Sequence, residues 1–302
     1  MQIQANHLQF EVQSQGEGSG IPVVMIMGLG GQLTFWPQAL VDALSQDGRR
    51  VITFDNRDIG LSSHLTSLGT PNMLWTMLKS KLRLKVKSPY SLQDMAQDTL
   101  ALMDALGLAH AHIVGISMGG MIAQRVAATA PDRVASLTSI MSSSGAPGLP
   151  GPRSDVRRAL LTPPASTGED DLVAHAVRFF QKIGSPGFNQ DWDAFADLAR
   201  LNVRRDPDGR GTLRQLVAIL ADQDRHLELA KIRCPTQVIH GEADPLVPIT
   251  CGRDTANRIA GAAFQSIPGM GHDLPQGVLP MLATSLQALW QRAEQPQKNP
   301  VT

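Results

Sequence analysis

Gly115-Ile116-Ser117-Met118-Gly119 follows the apolar run Ala111-His112-Ile113-Val114 and leads into residues 121–130, an Ala- and Val-rich stretch free of Gly and Pro. The run before it reads as a β-strand and the stretch after it as a helix. A serine with glycine two residues away on each side, on such a turn, has to take a strained backbone conformation. Any side chain at the flanking positions would meet the adjoining strand or helix. The turn lifts the Ser117 hydroxyl out at the carboxyl end of a parallel sheet and sets the Met118 amide at the positive end of a helix. This is the nucleophile-elbow geometry, suited to attack on a carbonyl. A glycine-rich turn with an idle serine is the simpler reading, and the flanking strand and helix weigh against it.

Outward from the elbow, residues 21–27 and 51–54 are short continuous apolar runs of the buried parallel type. Residues 8–12 alternate weakly, as an early antiparallel strand does, and residues 34–46 carry helical spacing. Further strands are expected at 111–116, 134–141, 236–241 and 263–267, with helices at 92–107, 118–130, 254–259 and 278–293. Strands and helices therefore alternate at both ends of the chain, the pattern of an α/β fold. Residues 145–226 break the rhythm: a Gly- and Pro-rich opening gives way to a charged, helical stretch holding Phe179, Phe180, Phe188, Trp192 and Phe195. It reads as a helical cap inserted into a core domain made of residues 1–144 and 227–302.

A second irregular stretch is 74–87, where Leu74, Trp75, Met77, Leu78, Leu82, Leu84 and Val86 interleave with Lys79, Lys81, Arg83, Lys85 and Lys87. It reads either as a lid touching lipid or as an amphipathic cover on the core with its lysines in water.

The 302 residues suit one α/β domain with an insertion. With 27 basic and 27 acidic residues the net charge is zero, which gives no overall footprint for nucleic acid. Cys234 and Cys251 are too few for a disulfide framework and have no metal-ligand spacing. The N-terminal residues carry no basic, apolar leader, and no run reaches the length of a membrane span, so a cytoplasmic enzyme is expected. The polar, proline-containing tail at 293–302 is expected to fray. The oligomeric state is open, a homodimer included.

A serine hydroxyl needs a base within reach, itself oriented by a carboxylate, and after an elbow the order is serine, acid, histidine. His272, in the glycine-rich loop Pro268-Gly269-Met270-Gly271-His272-Asp273, follows the last expected strand and can swing over the elbow. His175 and His226 belong to the insertion, and His240 lies inside a strand, where a local bond or packing is the simpler role. For the acid, Gly241-Glu242-Ala243-Asp244-Pro245 offers Asp244, with Glu242 as the alternative. Asp273 is too near His272 in sequence to orient it and reads as a solvent or cap residue. The loop Met27-Gly28-Leu29-Gly30-Gly31 lets backbone approach a substrate, so the Leu29 and Met118 amides are the expected oxyanion donors.

These segments, together with Phe54-Asp55-Asn56-Arg57-Asp58-Ile59-Gly60-Leu61-Ser62, resemble the α/β-hydrolase superfamily, and within it the serine carboxylesterase branch that includes the aclacinomycin methylesterase-type enzymes. The resemblance implies an eight-stranded, mostly parallel sheet flanked by helices, with Ser117 as nucleophile, His272 as base and Asp244 as acid. It also implies a small-molecule ester substrate and no cofactor or metal. A lactonase, C–C hydrolase or perhydrolase with the same triad, or a receptor-like member with little turnover, is the alternative. Two departures stand out. Met27 occupies a place where many relatives have histidine, and Arg57-Asp58-Ile59-Gly60 replaces the usual Arg-Gly-x-Gly, leaving the shape of that loop open.

Overall fold

The computed structural model describes residues 1–82 and 84–295; the expected fraying of the tail falls outside these residues from 296 onward. Eight strands form one sheet: β1 (Gln2–Ala5), β2 (Leu8–Gln15), β3 (Val23–Ile26), β4 (Val51–Phe54), β5 (Ala111–Ile116), β6 (Val134–Ile140), β7 (Thr236–Gly241) and β8 (Ala263–Ile267). Their spatial order is β1-β2-β4-β3-β5-β6-β7-β8. The first two pairings are antiparallel and every later one parallel.

Strands β3, β4 and β5 are buried at every position, which is why they read as unbroken apolar runs. Period-two alternation then sorts their side chains between two helical layers. Val24, Ile26, Ile52, Phe54 and Ile113 join one core cluster, and Val23, Met25, Val51, Val114 and Ile116 join the other. The eleven helices among the described residues are α1 (Gln38–Ser45), α2 (Met73–Lys81), α3 (Leu92–Ala105), α4 (Met118–Thr129), α5 (Ser154–Leu161), α6 (Glu169–Ile183), α7 (Trp192–Arg205), α8 (Arg210–Ala221), α9 (Arg225–Glu228), α10 (Ile249–Arg258) and α11 (Leu279–Glu294). Residues of α3 and α4 fill the first cluster, and residues of α1 and α11 the second. Helices α5 to α9 stand between β6 and β7, the stretch where the sequence loses its rhythm.

The chain leaves β3 for β4 on one side and returns to β5 on the other, so the connections diverge at β3. In open parallel sheets a crevice opens at such a point, beyond the carboxyl ends of the strands. Register pairs Ile26 with Gly115, which brings the loop after β3 alongside Ser117.

One buried polar cluster ties β5 to α11. His112 is fully buried, stacks on Trp290 at 5.2 Å, and contacts Ser136 Oγ through Nδ1 (2.8 Å) and Glu294 Oε1 through Nε2 (3.0 Å). A carboxylate can only accept, so Nε2 carries the hydrogen and Ser136 donates to Nδ1. Burial, only partly opposed by the bond to Glu294, pushes the imidazole down to about 4. In the unfolded chain histidine titrates near ~6.5, so the unfolded state binds the extra proton first. Stability from the neutral imidazole is therefore complete above that value and is lost as pH falls towards the folded pKa. The melting temperature is expected to drop between neutral pH and about pH 5, and to drop less in His112→Gln. An equal drop in both proteins would assign the acid sensitivity elsewhere.

Candidate active site

Ser117 caps α4 with φ 55° and ψ −119°, a left-handed conformation outside the comfortable range of a side-chain-bearing residue. A Cβ on Gly115 would lie 2.1 Å from the Gly119 carbonyl oxygen, and one on Gly119 would lie 2.0 Å from that of Ile26. Strand and helix thus touch backbone to backbone, and the sharp turn between them pushes the serine outward. The turn is pinned by the Ser117 amide donating to the Ile140 carbonyl (2.9 Å) and by Ser142 Oγ donating to the Ser117 carbonyl (2.7 Å).

The His272 loop brings its imidazole over this point. Nε2 lies 2.9 Å from Ser117 Oγ, and Nδ1 lies 2.6 Å from Asp244 Oδ2. With the carboxylate accepting from Nδ1–H, Nε2 is left bare to accept the serine proton. Asp244 Oδ1 accepts from the Leu246 and Val247 amides at 2.9 and 2.8 Å. Burial alone would raise the Asp244 pKa, but the charge of His272 and the hydrogen bonds from His240, His272 and Val247 hold it well below the usual carboxylate range. The acid stays ionised beside its histidine.

The competing candidates lie elsewhere. Glu242 is exposed and accepts from Ser266 Oγ at 2.8 Å. His175 lines the cavity above the serine from α6, and His226 lies in α9. His240 is fully buried with Nε2 2.7 Å from the Val247 carbonyl, the local bond expected of it, yet it also stands 3.5 Å from Asp244 Oδ2. Asp273 departs from expectation: it is half-buried and accepts from Ser185 Oγ, because the α6–α7 connection folds over it.

The loop after β3 is braced from two sides. Asn56 Nδ2 donates to the Met27 carbonyl (3.0 Å), so the position without histidine is held by its backbone instead. Gln215 of α8, fully buried, accepts from the Gly30 amide (3.0 Å) and donates to the Arg57 carbonyl (2.9 Å). Between these braces the amides of Leu29 and Met118 meet no protein acceptor among the described residues. Gln215 is not foreseeable from sequence, since a glutamine in a helix 185 residues away carries no local signal.

The loop after β4 also takes its shape from the insertion. Asp58 adopts φ 69° and receives Arg214 of α8 on both carboxylate oxygens (2.7 and 2.8 Å). Asp55 accepts from the Leu33 and Leu61 amides and from Arg205, while Arg57 pairs with Asp98 of α3. Both side chains are taken up in ties that hold these loops to α3 and α7.

The serine opens into a cavity of about 1620 Å³, larger than the usual ~300–1,000 Å³ of small-ligand pockets. Leu29, Met121, Phe179, Phe180, Trp192 and Leu216 line it together with Ser117, as do Phe35, Trp36 and residues 12–15 of β2. No group of three or more potential metal ligands occurs among the described residues.

A doubly wound sheet with such a serine, imidazole and carboxylate at its crevice is that of a hydrolytic enzyme. The chain belongs to the α/β-hydrolase fold family, whose model matches residues 21–275. It is 29% identical to rhodomycin D methylesterase of a Streptomyces species over 90% of this chain and 92% of that protein. It is 32% identical to a putative carbamate hydrolase of Caulobacter segnis over 83% of this chain and 84% of the relative. Among solved structures, the enol-lactonase of Burkholderia xenovorans superposes with a TM-score of 0.71 at 22% identity, covering 96% of this chain and all (100%) of that one.

Proposed function

We propose that the chain is a serine esterase in which Ser117 attacks the ester carbonyl, His272 takes and returns the proton, and Asp244 holds the imidazolium. The Leu29 and Met118 amides receive the oxyanion. The alcohol leaves with the proton from His272, water attacks the acyl-serine, and the acid is released. The observation that carries this reading is the single imidazole within hydrogen-bonding distance of both the elbow serine and a buried carboxylate. Similarity to a methylesterase supports an ester over a lactone or a C–C bond. The size and apolar lining of the cavity support an ester with a bulky apolar part. Residues 145–226 act as a cap that selects it.

Time courses with chromogenic esters of graded size test the assignment: sustained turnover after any burst supports an esterase, whereas one slow burst indicates a receptor-like protein. Gln215→Leu is expected to lower kcat roughly tenfold with little change in KM, less than the ~10²–10³ that removal of an oxyanion donor costs. An unchanged kcat would mean that the Leu29 amide is held without α8.

Two of the cap aromatics, Phe195 and Phe179, stand in different surroundings. Phe195 is buried with Val173 and Ala199 in the cap's own small core, so Phe195→Ala is expected to lose about 3 kcal/mol or more of stability. Phe179 lines the cavity, stands edge-on to Phe180 and stays outside that core. Phe179→Ala is expected to shift kcat/KM between short and bulky esters by roughly 1–3 kcal/mol at near-constant melting temperature. A uniform loss across the ester series would place substrate selection elsewhere.

A further inference from the structure

We propose that α2 and the segment after it dock the protein on an anionic membrane surface. Helical phase sets two opposite faces on α2. Thr76, Met77 and Ser80 turn inward, with Thr76 buried and α2 packed on α8. Leu74, Trp75, Leu78 and Leu82 point away, with exposures of 85%, 60%, 45% and 58%. At 100° per residue, Lys79 and Lys81 fall on opposite flanks of this apolar arc. Leu84 continues the exposed apolar patch at 52%, while Val86 is buried and pins the segment to the body. Of the two readings the sequence offered, a lid touching lipid or an amphipathic cover on the core, the exposed Leu74, Trp75, Leu78, Leu82 and Leu84 favour the first.

The charge names the occupant. Residues 59–93 contain Lys79, Lys81, Arg83, Lys85 and Lys87 and no aspartate or glutamate, within a chain whose net charge is zero. A second copy on this face would set lysine against lysine with no acid in either segment. A helix lying in a bilayer interface instead inserts leucine and tryptophan between headgroups and lets flanking lysines reach the phosphates. Each such lysine gains from an anionic leaflet, and the attraction falls with salt. No helix among the described residues is long and apolar enough to cross a membrane, so contact of this kind is peripheral.

The test is cosedimentation of the full chain with vesicles of phosphatidylcholine alone and of equal parts phosphatidylcholine and phosphatidylglycerol. Partition onto the mixed vesicles is expected to be about tenfold stronger or more at low salt, weakening as salt rises. Trp75 emission should shift to the blue on binding, and Trp75→Phe should lose that shift while still binding. The double variants Trp75→Glu with Leu78→Glu and Lys79→Glu with Lys81→Glu should lose binding yet hydrolyse a soluble ester as before. Absence of binding, equal binding to both vesicles, or undiminished binding of the variants would overturn the proposal. So would a dimer in sedimentation velocity that the Trp75→Glu, Leu78→Glu variant splits, since the face would then belong to a second copy.

Discussion

Ser117→Ala is expected to abolish ester turnover, a loss on the order of 10⁴-fold or more, while the protein melts at nearly the wild-type temperature. Among the described residues the hydroxyl makes one side-chain hydrogen bond, the 2.9 Å bond to His272 Nε2, and the strained backbone at φ 55° is held by the strand-to-helix packing beneath it. Alanine fits the same turn. His272→Ala should cost nearly as much, and the double variant little more than either, because nucleophile and base act as a unit. Measuring kcat/KM and thermal unfolding on the same preparations separates chemistry from folding. Substantial residual turnover in a well-folded Ser117→Ala protein would remove the serine from the mechanism.

Asp244→Asn is the second large effect, expected at roughly 10²–10⁴-fold in kcat. The Leu246 and Val247 amides both donate to Oδ1, so the substituted side chain keeps its oxygen there and turns its NH₂ towards His272 Nδ1. An NH₂ facing Nδ1 favours the tautomer with the proton on Nε2, which cannot accept from Ser117. The 3.5 Å approach of His240 Nε2 to the same carboxylate position adds a second donor facing a donor. Near wild-type kcat in Asp244→Asn would remove this carboxylate from the role, and Glu242→Gln would be the next variant to measure.

The elbow was legible because its requirements are local: a strand, two glycines and a helix within a few residues. The same holds for the glycine loop after β3, whereas Asp244 and His272, 28 residues apart and far from Ser117 in sequence, were placed by the order serine, acid, histidine along the chain. Less local features were harder. Strand β1 is a four-residue edge strand with little apolar content, revealed by its pairing through a hairpin turn in which Asn6 and His7 both take positive φ. The helix expected at 34–46 is a short 3₁₀ turn, Leu33–Phe35, followed by α1, because Pro37 interrupts the ladder at its start. Helix α10 begins at Ile249, five residues before the expected 254, since packing on β7 outweighs the poor helix propensity of Ile249, Thr250 and Gly252. The tertiary braces Gln215 and Arg214 lie far from their partners in sequence, and no local pattern marks them.

The connection between α6 and α7 is sewn to the histidine loop. The His272 amide donates to the Ile183 carbonyl (2.7 Å), the Gly271 amide to Ser185 Oγ (2.8 Å), and the Gly187 amide to the Gly269 carbonyl (2.9 Å). For protein engineering this fixes where a graft can be cut. A foreign insertion joined only at residues 145 and 226 would discard Ile183, Ser185 and Gly187 and leave the loop that carries the imidazole without its backbone partners. Chimaeras that exchange residues 269–273 together with 183–188 keep both halves of the seam, so recombination libraries should treat these two distant segments as one inherited block.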